Sequence, residues 1–317
     1  MGASTMKTAW IWRNGEFVRW EDATLHVMSH VVHYGSSVFE GVRCYATDRG
    51  PAFFRLRDHM DRLMSSARVY RMPVAFGVDE LCEASRELLR RNRMPEGYLR
   101  PLVLRGFGEL GVDPERSPVD VYLMAWPWGR YLGAEALDEG VDAGISTWFR
   151  PGANTVPTLA KAGGTYLNNQ LMKLEAVRHG YAEAIAVSPE GVVSEGSGQN
   201  VFLVRKGIVL TPSVDGSLLE GITRDTVLRL CRRLGVEARE QRVPREMLYS
   251  ADEVFFTGTA VEVTPVRSLD GIRVGSGQPG PVTRLLQAAY LDLVHGRADD
   301  PEGWLDPVMW MAEEAAS

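Results

Sequence analysis

Four of the 35 basic residues in this chain are lysines: Lys7, Lys161, Lys173 and Lys206. Arginine keeps its proton, whereas a desolvated lysine can lose it and attack a carbonyl, so chemistry that needs an amine must use one of these four. Lys7 lies near the first residues, Lys206 in a turn, and Lys173 inside a helical pattern, where lysine ordinarily solvates an exposed face. Lys161 has a different setting, Val156-Pro157-Thr158-Leu159-Ala160-Lys161-Ala162-Gly163-Gly164. Small neighbours there admit another group and apolar ones desolvate an amine, although a lysine on a flexible surface loop would carry the same letters. Glu195 is flanked by Ser194 and Gly196 between two strand-like runs, where a carboxylate can hold a cationic partner or simply occupy an exposed turn. Gly221-Ile222-Thr223-Arg224-Asp225 opens a helix, so its free N–H groups form either an anion site or an ordinary Thr223 cap. Gly258-Thr259-Ala260, after a strand, could supply a second set of donors.

Other letters carry less. Gly275-Ser276-Gly277-Gln278-Pro279-Gly280 matches GxGxxG, but the strand before it is short and no further strand and acidic residue complete a dinucleotide-binding unit. His26, His30 and His33 could share a helical face, but no HExxH glutamate accompanies them, and packing residues with hydrogen bonds are expected rather than metal ligands. The aromatic group Tyr98, Trp126, Trp128 and Tyr131 fits core packing or a ligand wall equally. A formal charge of −6 gives no attraction for a phosphate backbone, so a small-molecule substrate is expected and nucleic acid is not. No apolar run reaches the roughly 18 residues a membrane span requires, the first residues lack a signal-peptide core, and Cys44, Cys82 and Cys231 form no CxxC. A cytoplasmic protein with reduced thiols is expected.

These residues must be placed by elements that the pattern also predicts. Asn14-Gly15 between aromatic runs predicts a hairpin; Met60, Leu63, Met64 and Ala67 mark a helix, and residues 78–93 a second. Strands are expected over 98–104 and 119–126, followed by a linker at 129–140. In the second half, Leu167, Leu171 and Leu174 mark a helix directly after the Lys161 loop. Strands follow over 184–187, 201–204 and 208–211, a helix over 223–234, a strand over 254–256 and a last helix over 281–295. The interleaving is too irregular for a doubly wound sheet, so two α/β units with mostly antiparallel sheets are expected, over 1–128 and 141–317.

Taken together, His33-Tyr34-Gly35-Ser36-Ser37-Val38-Phe39-Glu40-Gly41, Ala160-Lys161-Ala162-Gly163-Gly164, Ser194-Glu195-Gly196 and Gly221-Ile222-Thr223-Arg224-Asp225 resemble the bacterial branched-chain amino-acid aminotransferases, from about Ile11 to Asp306. The resemblance implies a fold-type IV pyridoxal-phosphate enzyme: a small N-terminal α/β domain, a larger C-terminal domain with a barrel-like sheet, and the cofactor at the domain interface. It implies amino-group exchange between leucine, isoleucine or valine and 2-oxoglutarate, in homodimers or assemblies of dimers whose sites borrow a loop from the neighbour. Tyr98-Leu99-Arg100-Pro101 and Phe39-Glu40-Gly41 resemble this subgroup rather than the D-amino-acid aminotransferases or aminodeoxychorismate lyases.

By the same resemblance, Lys161 matches the Schiff-base lysine, Glu195 the carboxylate on the pyridine nitrogen, and Tyr166 the tyrosine on the ring hydroxyl oxygen. Arg62, which falls off the apolar stripe of its helix, matches a phosphate ligand together with Ile222, Thr223 and Thr259, and Leu219 packs on the ring. Tyr34, Phe39, Gly41, Tyr98, Arg100, Val112, Trp128 and Tyr131 match the substrate pocket, with Arg100 meeting the distal carboxylate of glutamate. The N–H groups of Thr259 and Ala260 match the α-carboxylate site. The chain departs from the family pattern in the lent loop, residues 105–118, and at Asn168 and Asn169, where smaller residues are expected.

Overall fold

A computed structural model describes residues 7–129, 132, 135–214 and 217–309. The chain forms two compact units, one from residues 1–129, 160–164 and 293–317, the other from 130–159 and 165–292.

The first unit opens on the expected hairpin, β1 (Trp10–Arg13) and β2 (Glu16–Arg19), turned by Asn14 and Gly15 at φ 49° and 98°, the left-handed values a two-residue turn requires. It continues through α1 (His30–Tyr34), β3 (Ser37–Phe39), β4 (Val42–Thr47), β5 (Gly50–Phe54), α2 (Leu56–Val69), α3 (Val78–Arg91), β6 (Gly97–Arg105) and β7 (Val119–Trp126). The sheet is antiparallel throughout, in the order Leu305–Pro307, β5, β4, β6, β7, β1, β2, with β3 also on β6. The predicted stripe of α2 is buried at Met60, Leu63 and Ala67, against Val42, Phe53, Leu99 and Val103 of the sheet.

The second unit comprises α4 (Ala136–Glu139), β8 (Val141–Ile145), α5 (Tyr166–Arg178), β9 (Glu183–Val187), β10 (Val193–Gly196), β11 (Asn200–Arg205) and β12 (Ile208–Pro212). After these come α6 (Ile222–Arg233), β13 (Ala238–Gln241), α7 (Arg245–Tyr249), β14 (Glu253–Gly258), β15 (Glu262–Leu269), β16 (Ile272–Arg273) and α8 (Pro281–Val294). Its sheet runs β10, β9, β8, β15, β14, β11, β12, β13, with β16 on β15. The pairs β8–β9, β8–β15 and β12–β13 are parallel and the others antiparallel. The edge strand β10 returns against β11 and β12, which curls the sheet into the expected barrel-like form. No helix of the described residues is long and apolar enough to cross a membrane.

Three expectations change, and one expected helix forms but buries its other face. The division is not a single cut, because Ala162 bridges to Val38 and Leu305–Pro307 pairs with β5, returning two later segments to the first unit. Within the 129–140 linker, Ala136–Glu139 is helical, and Ala136 and Leu137 are buried. Leu167, Leu171 and Leu174 do form a helical stripe, but it is exposed, and α5 buries Asn169, Met172 and Ala176 instead. Lys173 is half-buried, donating to Ala182 O and to the buried Glu183 carboxylate at 3.1 Å, rather than solvating a surface.

The glycines of the GxGxxG match serve the start of α8. Gly275 and Gly277 have φ 50° and 75°, and a Cβ on Gly280 would strike the Glu253 carboxylate. Glu253 accepts from the N–H groups of Val282 and Thr283 and from the Thr283 hydroxyl, so a carboxylate of the chain already fills the helix end a pyrophosphate would need.

Candidate functional site

In the first unit, Lys161 is held at both ends of its peptide. Its N–H donates to the Ser66 hydroxyl of α2 at 3.0 Å, and its carbonyl accepts from the N–H of Phe39 at 3.0 Å. Its amine stands 5.1 Å from the centre of the Phe39 ring. The small residues around it are needed for this approach: a Cβ on Gly163 would strike Ser37 Oγ, and Gly35, at φ 64°, packs against Gly164. Arg62, one turn before Ser66, donates from Nε and Nη2 to the buried Glu40 carboxylate at 2.6 and 2.9 Å. His59 Nδ1 donates to the same carboxylate at 2.7 Å. Burial opposes the charge on Glu40, but Arg62 and His59 outweigh it and hold the carboxyl well below the usual range. Burial also pushes the His59 ring down, against the pull of Glu40.

Tyr98 and Arg100 share one face of β6. The Arg100 guanidinium stacks on Phe39 at 4.7 Å, Tyr98 at 5.4 Å and Trp126 at 5.7 Å, and its buried Nε has no hydrogen-bond partner among the described residues. The Tyr98 ring centre lies 4.9 Å from that of Trp128, and a Cβ on Gly41 would come within 1.7 Å of the Tyr98 hydroxyl oxygen. These residues form one apolar wall around a cation. Tyr34 is half exposed and Val112 is 88% exposed, so the single chain leaves both open to solvent. Tyr131 lies outside the described residues.

In the second unit, Glu195 sits within β10 rather than in a turn, and is buried. Its carboxylate accepts from Arg150 Nη2 at 2.8 Å, Asn200 Nδ2 at 3.0 Å and the Leu219 N–H at 3.2 Å. Arg150 also donates to Asn169 Oδ1, and Asn169 donates to Ser197 O at 2.6 Å. Asn169 therefore ties the helix that begins at Tyr166 to the partner of Glu195. The start of α6 presents Ile222 and Thr223, both buried, after Gly221; a Cβ on Gly221 would meet Asn200 Oδ1 at 1.9 Å. Thr259 and Ala260 are half-buried in the turn after β14, whose Thr257 pairs with Asn200.

Lys161, Arg62, Phe39, Gly41, Tyr98, Arg100 and Trp128 thus gather in one unit, and Tyr166, Glu195, Leu219, Ile222, Thr223, Thr259 and Ala260 belong to the other. Sequence reasoning missed Arg150, Asn200, Ser66, His59 and Glu40. Glu40 stood inside a string already singled out, and its position beside Gly41 was the one available signal. His30, expected as a packing residue, bonds through Nε2 to Gly111 O and through Nδ1 to Ser36 Oγ.

The residues fit pyridoxal phosphate. An amine on a fixed peptide, a buried carboxylate with a bound cation, and a helix start crowded by Asn200 match the cofactor's carbonyl, ring nitrogen and phosphate in type.

Residues 37–269 match the family model for amino-transferase class IV. The branched-chain-amino-acid aminotransferase of Salmonella typhimurium is 54% identical over 96% of this chain and 99% of its own length. The crystal structure of the Escherichia coli branched-chain amino acid aminotransferase superposes with TM-score 0.94 at 53% identity, over 96% of this chain and 100% of that one. The Thermobaculum terrenum enzyme of the same name, solved in its PLP-form, does so with TM-score 0.90 at 37% identity, over 96% of this chain and 99% of that one.

Proposed function

Because the chain belongs to the class IV aminotransferases, we propose that it moves the amino group of leucine, isoleucine or valine to 2-oxoglutarate with pyridoxal 5'-phosphate, giving branched-chain 2-oxo acids and L-glutamate. The near full-length likeness to relatives named for this activity carries the reading. The bound cofactor supplies an electron sink for the pair left on Cα when the α-proton departs.

The chain's own residues supply the rest. Lys161 holds the cofactor and then moves a proton from Cα to C4′, as base and then as acid. Its peptide, fixed by Ser66 and Phe39, sets the point from which the side chain reaches. Glu195 keeps the proton on the ring nitrogen, and Tyr166 orients the ring through its hydroxyl oxygen. Leu219 packs on the ring, while Arg62, Thr259 and the N–H groups of Ile222 and Thr223 take the phosphate. Phe39, Gly41, Tyr98 and Trp128, with Tyr34, Val112 and Tyr131, form the side-chain pocket, and apolar walls suit branched aliphatic groups. Arg100, whose buried Nε has no hydrogen-bond partner among the described residues, receives the distal carboxylate of glutamate. The N–H groups of Thr259 and Ala260 hold the α-carboxylate.

The proposal includes a homodimer, supported by the exposed stripe of α5 and by the openness of Tyr34 and Val112 in the single chain. It places the enzyme in the cytoplasm, where its three buried free thiols would stay reduced.

The visible spectrum of the purified holoenzyme tests the activity. L-leucine should bleach the cofactor band and 2-oxoglutarate restore it, while D-alanine leaves it unchanged. Bleaching by D-alanine alone would move the enzyme to the D-selective relatives, and a chain that forms no band with added cofactor would remove Lys161 from its role.

A further inference from the structure

Glu40 has no accessible surface and no part in the roles assigned above. Its N–H donates to Pro101 O at 2.9 Å, and its carboxylate takes Nε and Nη2 of Arg62 at 2.6 and 2.9 Å and His59 Nδ1 at 2.7 Å. A buried ion pair is weak evidence of stabilisation, because the desolvation of both charges offsets most of their attraction. What a two-pronged pair does fix is the plane and direction of a guanidinium. The neighbouring contacts share that geometry. Ser66, one turn beyond Arg62, receives the Lys161 N–H, and the Phe39 N–H, adjacent to Glu40, reaches the Lys161 carbonyl. One face of α2 and one strand end therefore set both the reactive lysine and Arg62.

We propose that Glu40 is a positioning residue for the cofactor phosphate: by holding Nε and Nη2 of Arg62 it aims the guanidinium at the phosphate. The inference rests on the reading of Arg62 as a phosphate ligand. An Arg62 without this hold would have to order several rotatable bonds each time the cofactor binds, which lowers affinity. His59 adds a further donor to the same carboxylate and so helps fix its plane.

Equilibrium dialysis of the full chain, stripped of cofactor, gives dissociation constants for pyridoxal phosphate and for pyridoxal, which lacks the phosphate. The parent is compared with Glu40→Gln, Arg62→Gln and the double variant. Glu40→Gln is expected to weaken pyridoxal phosphate binding by about tenfold to a hundredfold and pyridoxal binding by less than about twofold, the span of one charged hydrogen-bond pair confined to the phosphate. The double variant is expected to bind pyridoxal phosphate as Arg62→Gln alone does, since Glu40 acts through Arg62. Equal losses for both ligands, or no loss, overturn the inference. So does a further loss in the double variant relative to Arg62→Gln alone, a comparison that does not use the Glu40→Gln single variant. Arg62→Gln with parental affinity would instead remove the reading of Arg62 itself.

Discussion

Arg150 makes three different contacts from one planar group: Glu195 Oε1 at 2.8 Å, Asn169 Oδ1, and Ser217 O at 3.3 Å. Its side chain and that of Glu195 are 3% and 7% exposed, so neither has water to fall back on. Removing one partner of such a pair leaves a buried charge uncompensated, which costs far more than the net worth of the pair. Arg150→Met is therefore expected to lower stability by about 3 to 5 kcal/mol, read as a fall in the urea midpoint at unchanged slope. Arg116→Met, at an ion pair 83% and 56% exposed, should leave the midpoint where it was. A midpoint unmoved by Arg150→Met would mean that Glu195 does not depend on this cation. Local patterning did not disclose Arg150 or Asn200, because the letters around a buried arginine or asparagine are those of any loop or strand end. Lys161 stands out through scarcity, as one of four lysines, and Glu195 only in company with the other motifs.

The connection between β6 and β7 is held by one residue far from it in sequence and by bonds of its own. His30 of α1 bonds Gly111 O at 2.9 Å through Nε2, which leaves Nδ1 to accept from the Ser36 hydroxyl at 2.7 Å. Arg105, at the end of β6 and buried, donates to Pro114 O at 2.6 Å, and the Ser117 hydroxyl donates to Glu109 O at 3.0 Å. Between these anchors Val112 projects into solvent, which suits a residue proposed to serve a neighbouring site. His30→Ala should loosen the loop without removing a reacting group. The expected result is a KM for leucine raised by about two- to tenfold, the worth of one or two hydrogen bonds, with kcat nearly unchanged. Trypsin cleavage after Arg116 should quicken in parallel. An equal fall in kcat, or an unchanged cleavage rate, would mean that the histidine does not act through this loop. The elements were legible where periodicity was strong, as in α2, α3, β6, β7 and the hairpin. They were obscure where a strand carries Pro265 and polar residues, as in β15, or is polar and short, as in β13. The strand Leu305–Pro307 has no alternation to read at all, and only pairing with β5 defines it.

At the scale of the molecule, α5 carries an apolar stripe on the wrong side for a lone chain. Leu167, Leu171, Leu174 and Val177 are 65%, 40%, 54% and 57% exposed, at spacings of four, three and three residues that place them on one face. The face turned inward carries Asn169, Met172 and Ala176. A row of four large apolar side chains left in water suits the proposed subunit contact, and an isologous contact between two copies would pair this helix with its own mate. Covering one leucine is worth about 1.5 to 3 kcal/mol, so placing a charge there should weaken association by roughly tenfold to a hundredfold or more. Leu174→Arg is accordingly expected to shift the protein from dimer to monomer in sedimentation equilibrium at micromolar concentration. Its far-ultraviolet circular dichroism should match the parent's, because Leu174 is more than half exposed in its own chain. Leucine turnover should fall with the monomer fraction if the loop around Val112 serves the neighbouring site, and should recover as protein concentration is raised. A variant that remains dimeric would place the subunit contact elsewhere, and a monomer with parental turnover would separate the dimer from the proposed borrowing of the loop.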